Sequence, residues 1–274
     1  MIEFFKYPFL RNGFIGAILA GLGSSFLSNF IILKKMEFIG EGAAHVAFGA
    51  IAIALFFNLN INVVSLIVAI IFAIAIHILG KKEKVQENSV IGMLLALSMA
   101  IGIILLSFKK GYVPEIDSFL FGDVLMINEE DLKLLFIFDL VIFFYIILFN
   151  KELKYYAYHQ KLSKTFGVPV DFINLSFLII TSITIVISVK IIGIILITSL
   201  LITPGVIGKL FAKSINQMIL ISVITGFLSS ALGMIASYYF DIPSGPTIVV
   251  TLFVLFIISY IIKRVLSLKE KESL

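Results

Sequence analysis

Between Phe172 and Leu210 the chain is apolar throughout, apart from Asn174, Lys190, Lys209 and scattered Ser and Thr. This run constrains the fold more than any motif does. A helix rising 1.5 Å per residue crosses about 30 Å of hydrocarbon in about 20 residues. The run therefore holds two crossings, with Lys190 and Gly193 as the place to turn. One of the two pieces is open to being short or re-entrant, because irregular backbone is tolerated where protein buries it. Further apolar stretches lie at 12–33, 39–57, 61–79, 90–108, 132–149, 216–239 and 246–263, beside 170–189 and 191–208. The expected fold is all-α, a polytopic membrane protein of about eight to nine helices. Nine spans would put the N-terminus outside and the C-terminus inside; with residues 4–10 along the interface instead of leading straight into a span, the count is eight or nine.

Composition agrees. Of 274 residues 60% are hydrophobic and 14% charged, with a mean hydropathy of +1.13. A soluble domain of this length would have to expose apolar patches large enough to cause aggregation. The absence of cysteine excludes disulfides and thiolate metal sites. Trp is absent too, which leaves 9 Tyr and 27 Phe to supply interfacial aromatics. The opening MIEFFKYPFLRNG has no basic leader with a small-residue cleavage site and is expected to be retained. The whole chain, 1–274, reads as one transmembrane domain, with a short interfacial N-terminus (1–11) and a C-terminal tail (264–274).

Basic residues orient the spans. Alternate loops carry Lys34 and Lys35; Lys81, Lys82 and Lys84; Lys151, Lys154, Lys161 and Lys164; Lys209 and Lys213; and the tail Lys263, Arg264, Lys269 and Lys271. These are most of the 21 basic residues, which assigns that side, and the C-terminus, to the cytoplasm. The opposite side holds the acidic loop PEIDSFLFGDVLMINEED, fitting an external face. Small residues recur every fourth position in Gly16/Ala20/Ser24, Ala17/Gly21/Ser25, Ser222/Gly226/Ser230 and Ser229/Gly233/Ser237. Such stripes let helices approach closely in lipid, either within one subunit or between two.

Glu41 and His45 stand four residues apart in EFIGEGAAHVAFGA, so they share one helix face. Carboxylate plus neutral imidazole is a ligand pair for zinc, manganese or iron. Placing ionisable groups within a span costs on the order of 3 kcal/mol, so such groups tend to line pathways. A hydrogen-bonded pair near the helix end is the structural alternative. In DIPSGPT, Asp241, Pro243 and Gly245 form a bend whose Asp is placed to accept free N–H groups, with a gating or external-end role as the functional alternative. In TPGVIGKLFAKS, Pro204 and Gly205 are expected to break the apolar run. The segment through Gly208, Lys209 and Leu210 is then either a basic turn or a coupling segment for a cytoplasmic partner. GVIGK is too short between its glycines for a phosphate loop, so ATP chemistry must reside on another chain. His77 is expected to be a satisfied interfacial histidine, and Asp139 either functional or paired with a neighbouring helix. His159 reads as solvated. No HExxH, GxSxG or GxGxxG is present to support an intramembrane enzyme.

Four segments together carry a resemblance. FIGEGAAHVAFGAIAIAL, SFLFGDVLMINEEDL, VKIIGIILITSLLITPGVIGKLFAKS and SYYFDIPSGPTIVV occur in this order. They resemble the second-span, external-loop, pre-ATPase and last-loop motifs of the ABC-3 family, the membrane permeases of bacterial ABC importers for zinc, manganese or iron. The resemblance covers nearly the whole length. It implies a homodimer of permeases around a central pathway, an ATPase dimer below and an extracytoplasmic metal-binding protein above, in the bacterial inner membrane. The family usually has Asp at the position of Glu41 and Ser at that of Ala44, while His159 stands about where an acid is common. HVAFG resembles zinc-importing members more than manganese ones, where Leu-Pro-Gly often follows the histidine. Zinc is therefore the expected cargo, with manganese and iron as alternatives, and no cofactor is expected to be bound permanently.

The expected route starts at the acidic external face near Asp117 and Asp123 and passes Glu41 and His45 as transient ligands in the cytoplasmic half of the second span. Two rivals stand beside it. A self-sufficient secondary transporter would use Asp139 and Glu41 for ion coupling, and an ABC permease for a metal chelate or vitamin would need a wider path. No nucleic-acid partner is expected.

Overall fold

The computed structural model describes residues 7–81, 86–108, 124–158, 163 and 167–272. The expected positions Asp117, Asp123 and His159 lie outside the described residues. The helices in chain order are α1 (Pro8–Lys34), α2 (Ile39–Phe57), α3 (Ile61–Gly80), α4 (Glu87–Phe108), α5 (Glu129–Leu148), α6 (Asn150–Tyr158), α7 (Val170–Ile192), α8 (Ile194–Phe211), α9 (Ile215–Phe240) and α10 (Ser244–Glu272). A 3-10 turn at Val124–Met126 precedes α5. Among the described residues, eight helices are long and apolar enough to cross a membrane. The count is nine if α5 and α6, bent by 79° where they meet, form one broken span.

Both halves of the long apolar run are full-length helices. α7 ends at Ile192, Gly193 takes φ 82 and ψ 165, and α8 starts at Ile194. Only glycine adopts that backbone without strain, so the turn falls where the sequence offers one. The doubtful span is the fifth, because α5 opens with Glu129, Glu130 and Asp131, which shortens its apolar part. Pro8 opens α1 and residues 8–11 continue into the first span, a position where a missing N–H costs nothing. The C-terminal tail begins as helix, since α10 runs on to Glu272.

Pro204 does not break the chain as expected; it lies inside α8. A proline there removes one backbone donor and disturbs the ladder around it. Ser28 of α1 repairs the site: its Oγ accepts from the Gly205 N–H at 2.8 Å and donates to the Ile202 carbonyl at 3.3 Å. A side-chain hydroxyl from a neighbouring helix is one of the ways a membrane helix tolerates proline.

The chain divides into two compact units. The first contains α1 as far as Ile32, most of α5, α8 from Thr198, α9 and α10. Its small-residue stripes meet each other within this chain. A Cβ on Gly21 would lie 2.8 Å from the Gly226 carbonyl oxygen, and one on Gly226 would lie 2.6 Å from that of Gly21. Neither position can carry a side chain at this separation, and the close approach gives α1 and α9 the dispersion contact that lipid cannot supply by exclusion. Ser222 of α9 stands 2.8 Å from Asn29 Oδ1 and 2.9 Å from the Pro204 carbonyl, drawing the same polar seam towards α8.

The second unit contains α2, α3, α4, α6, α7 and the adjoining ends of α5 and α8. α2 is its centre: 67% of its apolar window is buried, against 28% for α3 and 17% for α4, whose outer faces are left for lipid. α2 and α4 run parallel with a seven-residue register. Gly42 meets Ile91 and Gly49 meets Ser98. α3 and α7 are joined at both ends, by Lys81 to Asp171 at 2.8 Å and by Lys190 to Asn62 at 2.8 Å. Both contacts are exposed and are worth little singly, but they fix the relative register of the two helices.

Candidate functional site

Glu41 is the third residue of α2, in the first turn, where a carboxylate is favoured by the unpaired N–H groups of the helix start. His45 follows one turn on. Ala43, Ala44, Val46 and Ala47 around them are at most 4% exposed, under the cover of α3, α4 and α7. Glu41 itself is exposed, His45 is half-buried and Phe38, one turn before, is 56% exposed. Between residues 39 and 50 of α2 every other position is buried, so the two donors occupy the one open stripe of this part of the helix. Small residues explain why the stripe is narrow: Gly42 and Gly49 let α4 close on the other side. Ser98 Oγ also donates a long bond, 3.4 Å, to the His45 carbonyl. Among the described residues no group of three or more His, Asp or Glu is gathered in metal-binding reach, so the pair is a two-donor set.

The other expected positions fall as follows. Asp241 closes α9 in a left-handed conformation (φ 53, ψ 47), its backbone N–H bonded to the Ser237 carbonyl. The expected acceptor role of its carboxylate is not what the corner uses. No hydrogen bond reaches the carboxylate among the described residues, and the corner is held by Ser237 Oγ donating to the Ile242 carbonyl at 2.6 Å. Pro243 is exposed, whereas Gly245 is buried in the first turn of α10. Of the segment after Pro204, Pro204, Gly205 and Gly208 are buried, Leu210 is half-buried and Lys209 is exposed. Beyond it, Ser214 caps α9 by accepting from the Gln217 N–H, and Gln217 Oε1 accepts from the Lys213 N–H at 2.9 Å.

His77 is not satisfied as expected: it is half-buried in the last turn of α3, and its Nδ1 is buried without a hydrogen-bond partner. Asp139 faces Gly23 of α1, and its buried Oδ2 likewise lacks a partner, so the neighbouring helix offers it space and no donor.

Sequence reasoning missed a polar cluster in the second unit. Lys34 Nζ stands 4.1 Å above the Tyr156 ring, Asn174 Nδ2 donates to Glu87 Oε1 at 3.1 Å, and Asn88 Nδ2 donates to the Lys35 carbonyl at 2.6 Å. These contacts bind the corner that leads into α2 to α4, α6 and α7. The only local signal was Glu87 in the first turn of α4; the rest is tertiary.

The ABC 3 transport family model matches residues 6–263. This chain belongs to that family. Curated members similar to it include a protein of Thermotoga maritima named "Probable metal transport system membrane protein", 33% identical over 92% of this chain and 89% of its own. Another is the manganese transport system membrane protein MntC of Listeria monocytogenes, 26% identical over 93% of this chain and 91% of its own. Among solved structures, PsaBC from Streptococcus pneumoniae in complex with Fab includes a chain 29% identical to this one. Their TM-score is 0.83, over 98% of this chain and 100% of that one. The all-helical, multi-span architecture is thus that of an ABC-3 transport protein, and the chain is membrane-embedded.

Proposed function

We propose that this chain is the membrane permease of an ATP-binding-cassette importer whose cargo is a divalent transition-metal ion. The observation that carries this reading is the open stripe of α2: a helix whose first three turns are otherwise buried presents one carboxylate and one imidazole four residues apart. Two donors make an incomplete site, and incompleteness suits transport, where binding must be weak enough to release. Two similar proteins, one named for metal transport and one for manganese transport, support a metal cargo. The run HVAFG supports zinc, while the manganese-named relative supports manganese. Carboxylate and imidazole accept either ion, and iron as well. Manganese is the favoured cargo of this reading, with zinc and iron as alternatives.

In this reading two copies of the chain flank the pathway, an ATPase dimer binds on the cytoplasmic side and a metal-binding protein docks outside. The C-terminus is cytoplasmic, on the side of the basic loops. Lys209, Leu210 and the corner at Ala212–Ser214 offer the ATPase a surface, with buried Pro204, Gly205 and Gly208 setting the helix end behind it. Asp241, Pro243 and Gly245 form the corner at the other end of α9, suited to an external gate. Chemistry on this chain is limited to ligation, and ATP is hydrolysed by the partner.

Reconstitution with the ATPase and the binding protein, followed by uptake of manganese, zinc and iron in competition, tests both class and cargo. Glu41→Gln and His45→Ala should each lower uptake on the order of ten-fold or more, since each removes one of only two donors, with insertion and assembly unchanged. Normal uptake by both variants would remove the pair from the pathway. Uptake without any ATPase would overturn the importer assignment itself.

A further inference from the structure

Helix α6 has no part in the pathway described above, yet it is built as an amphipathic surface element. It leaves α5 at 79°, so it runs across the direction of the helix that delivers it. One face is seated: Leu153, Tyr156 and Ala157 are buried, and the Tyr156 ring lies 6.3 Å from that of Phe177 on α7. The opposite face carries Lys151 and Tyr155, one turn apart and both exposed, with Lys154 half-exposed beside them. The chain just before α6 is oily and open, with Ile147 52% and Leu148 72% exposed. Phe172, 55% exposed, lies tilted against Phe149 with ring centroids 6.0 Å apart, forming an aromatic ledge.

An abrupt change from exposed hydrocarbon-seeking side chains to exposed lysines marks the level of the membrane surface. A helix turned across that boundary, apolar face inward and basic face outward, lies in the headgroup layer. Two other cations of the same unit are already occupied. Lys34 sits over Tyr156, and Lys81 is paired with Asp171. Lys151 and Lys154 have no ion pair among the described residues. We propose that the outer face of α6 is a binding site for the phosphate of an anionic phospholipid, held by Lys151 and Lys154, with Phe172 and Leu148 against its acyl chains. The inference does not depend on which metal is carried, or on whether Glu41 and His45 carry it.

The sequence provides a clean reporter, because it contains no Trp. Tyr155→Trp in the otherwise intact chain, reconstituted in bilayers, should be quenched by brominated phosphatidylglycerol at about five-fold lower mole fraction than by brominated phosphatidylcholine, or lower still. Lys151→Gln/Lys154→Gln in the same background should abolish that preference, and free glycerol phosphate should not compete. Phe172→Trp, read in the same way, serves if Tyr155→Trp fails to fold. Equal quenching by the two lipids with the lysines in place would overturn the site. So would quenching by aqueous acrylamide with none by either lipid, or shielding only on addition of the ATPase, which would make the face a protein contact.

Discussion

Ser28 shows how much one side chain can decide. Its hydroxyl is both acceptor for the Gly205 N–H and donor to the Ile202 carbonyl, one on each side of Pro204. Ser28→Ala should remove both bonds, at about 0.5–1.5 kcal/mol each, and lower the thermal midpoint in detergent by several degrees. Ser98→Ala should cost less, since its bond to the His45 carbonyl is 3.4 Å long. Equal losses would show that Ser28 only fills space. The spacing of Glu41 and His45 was legible in the sequence, because a four-residue period is a local property of a helix. Asn174 and Glu87 were not, since folding brings together residues 87 apart in the chain. Pro204 misled for a related reason. The residue that lets α8 continue through it, Ser28, stands 177 positions away from Gly205.

Among the elements, the seam between α2 and α4 sets where the donor pair faces. Gly42 adjoins Glu41 in sequence, and a Cβ there would run into Ile91 Cγ2, with Phe72 Cζ at 3.2 Å. Gly42→Ala should therefore displace the start of α2 and reduce metal uptake on the order of ten-fold, a displacement of about 1 Å being enough. Ile91→Ala in the same chain should restore much of it by vacating the space. Loss of uptake with no rescue would mean that the glycine matters for something other than clearance. Helix limits were readable because hydrophobic length fixes a span, and Gly193 marks its own turn. The 79° departure of α6 was not, because NKELKYYAY is ordinary cytoplasmic-loop composition until its buried face has α7 to rest on.

At the scale of the whole molecule, the basic loops make a claim about sidedness that the cysteine-free sequence lets one check directly. Leu59→Cys, in the exposed corner after α2, should react with an impermeant maleimide from outside the cell. Lys213→Cys, in the exposed corner before α9, should react only after permeabilisation. The reverse pattern would invert the molecule and place the donor pair near the outer mouth. The proposed pathway requires this pair to be reachable from each side in turn, and the glycine seam limits how that can happen. Turning α2 by one residue, about 100°, would swing Gly42 and Gly49 off α4 and bring the methyls of Ala43 and Ala50 round to where there is room only for hydrogen. α2 is therefore not free to spin within its unit. Any axial turn of α2 must carry α4 with it, so in the proposed pathway the pair would change the side it faces through a joint movement of packed helices and not through a rotation of α2 alone.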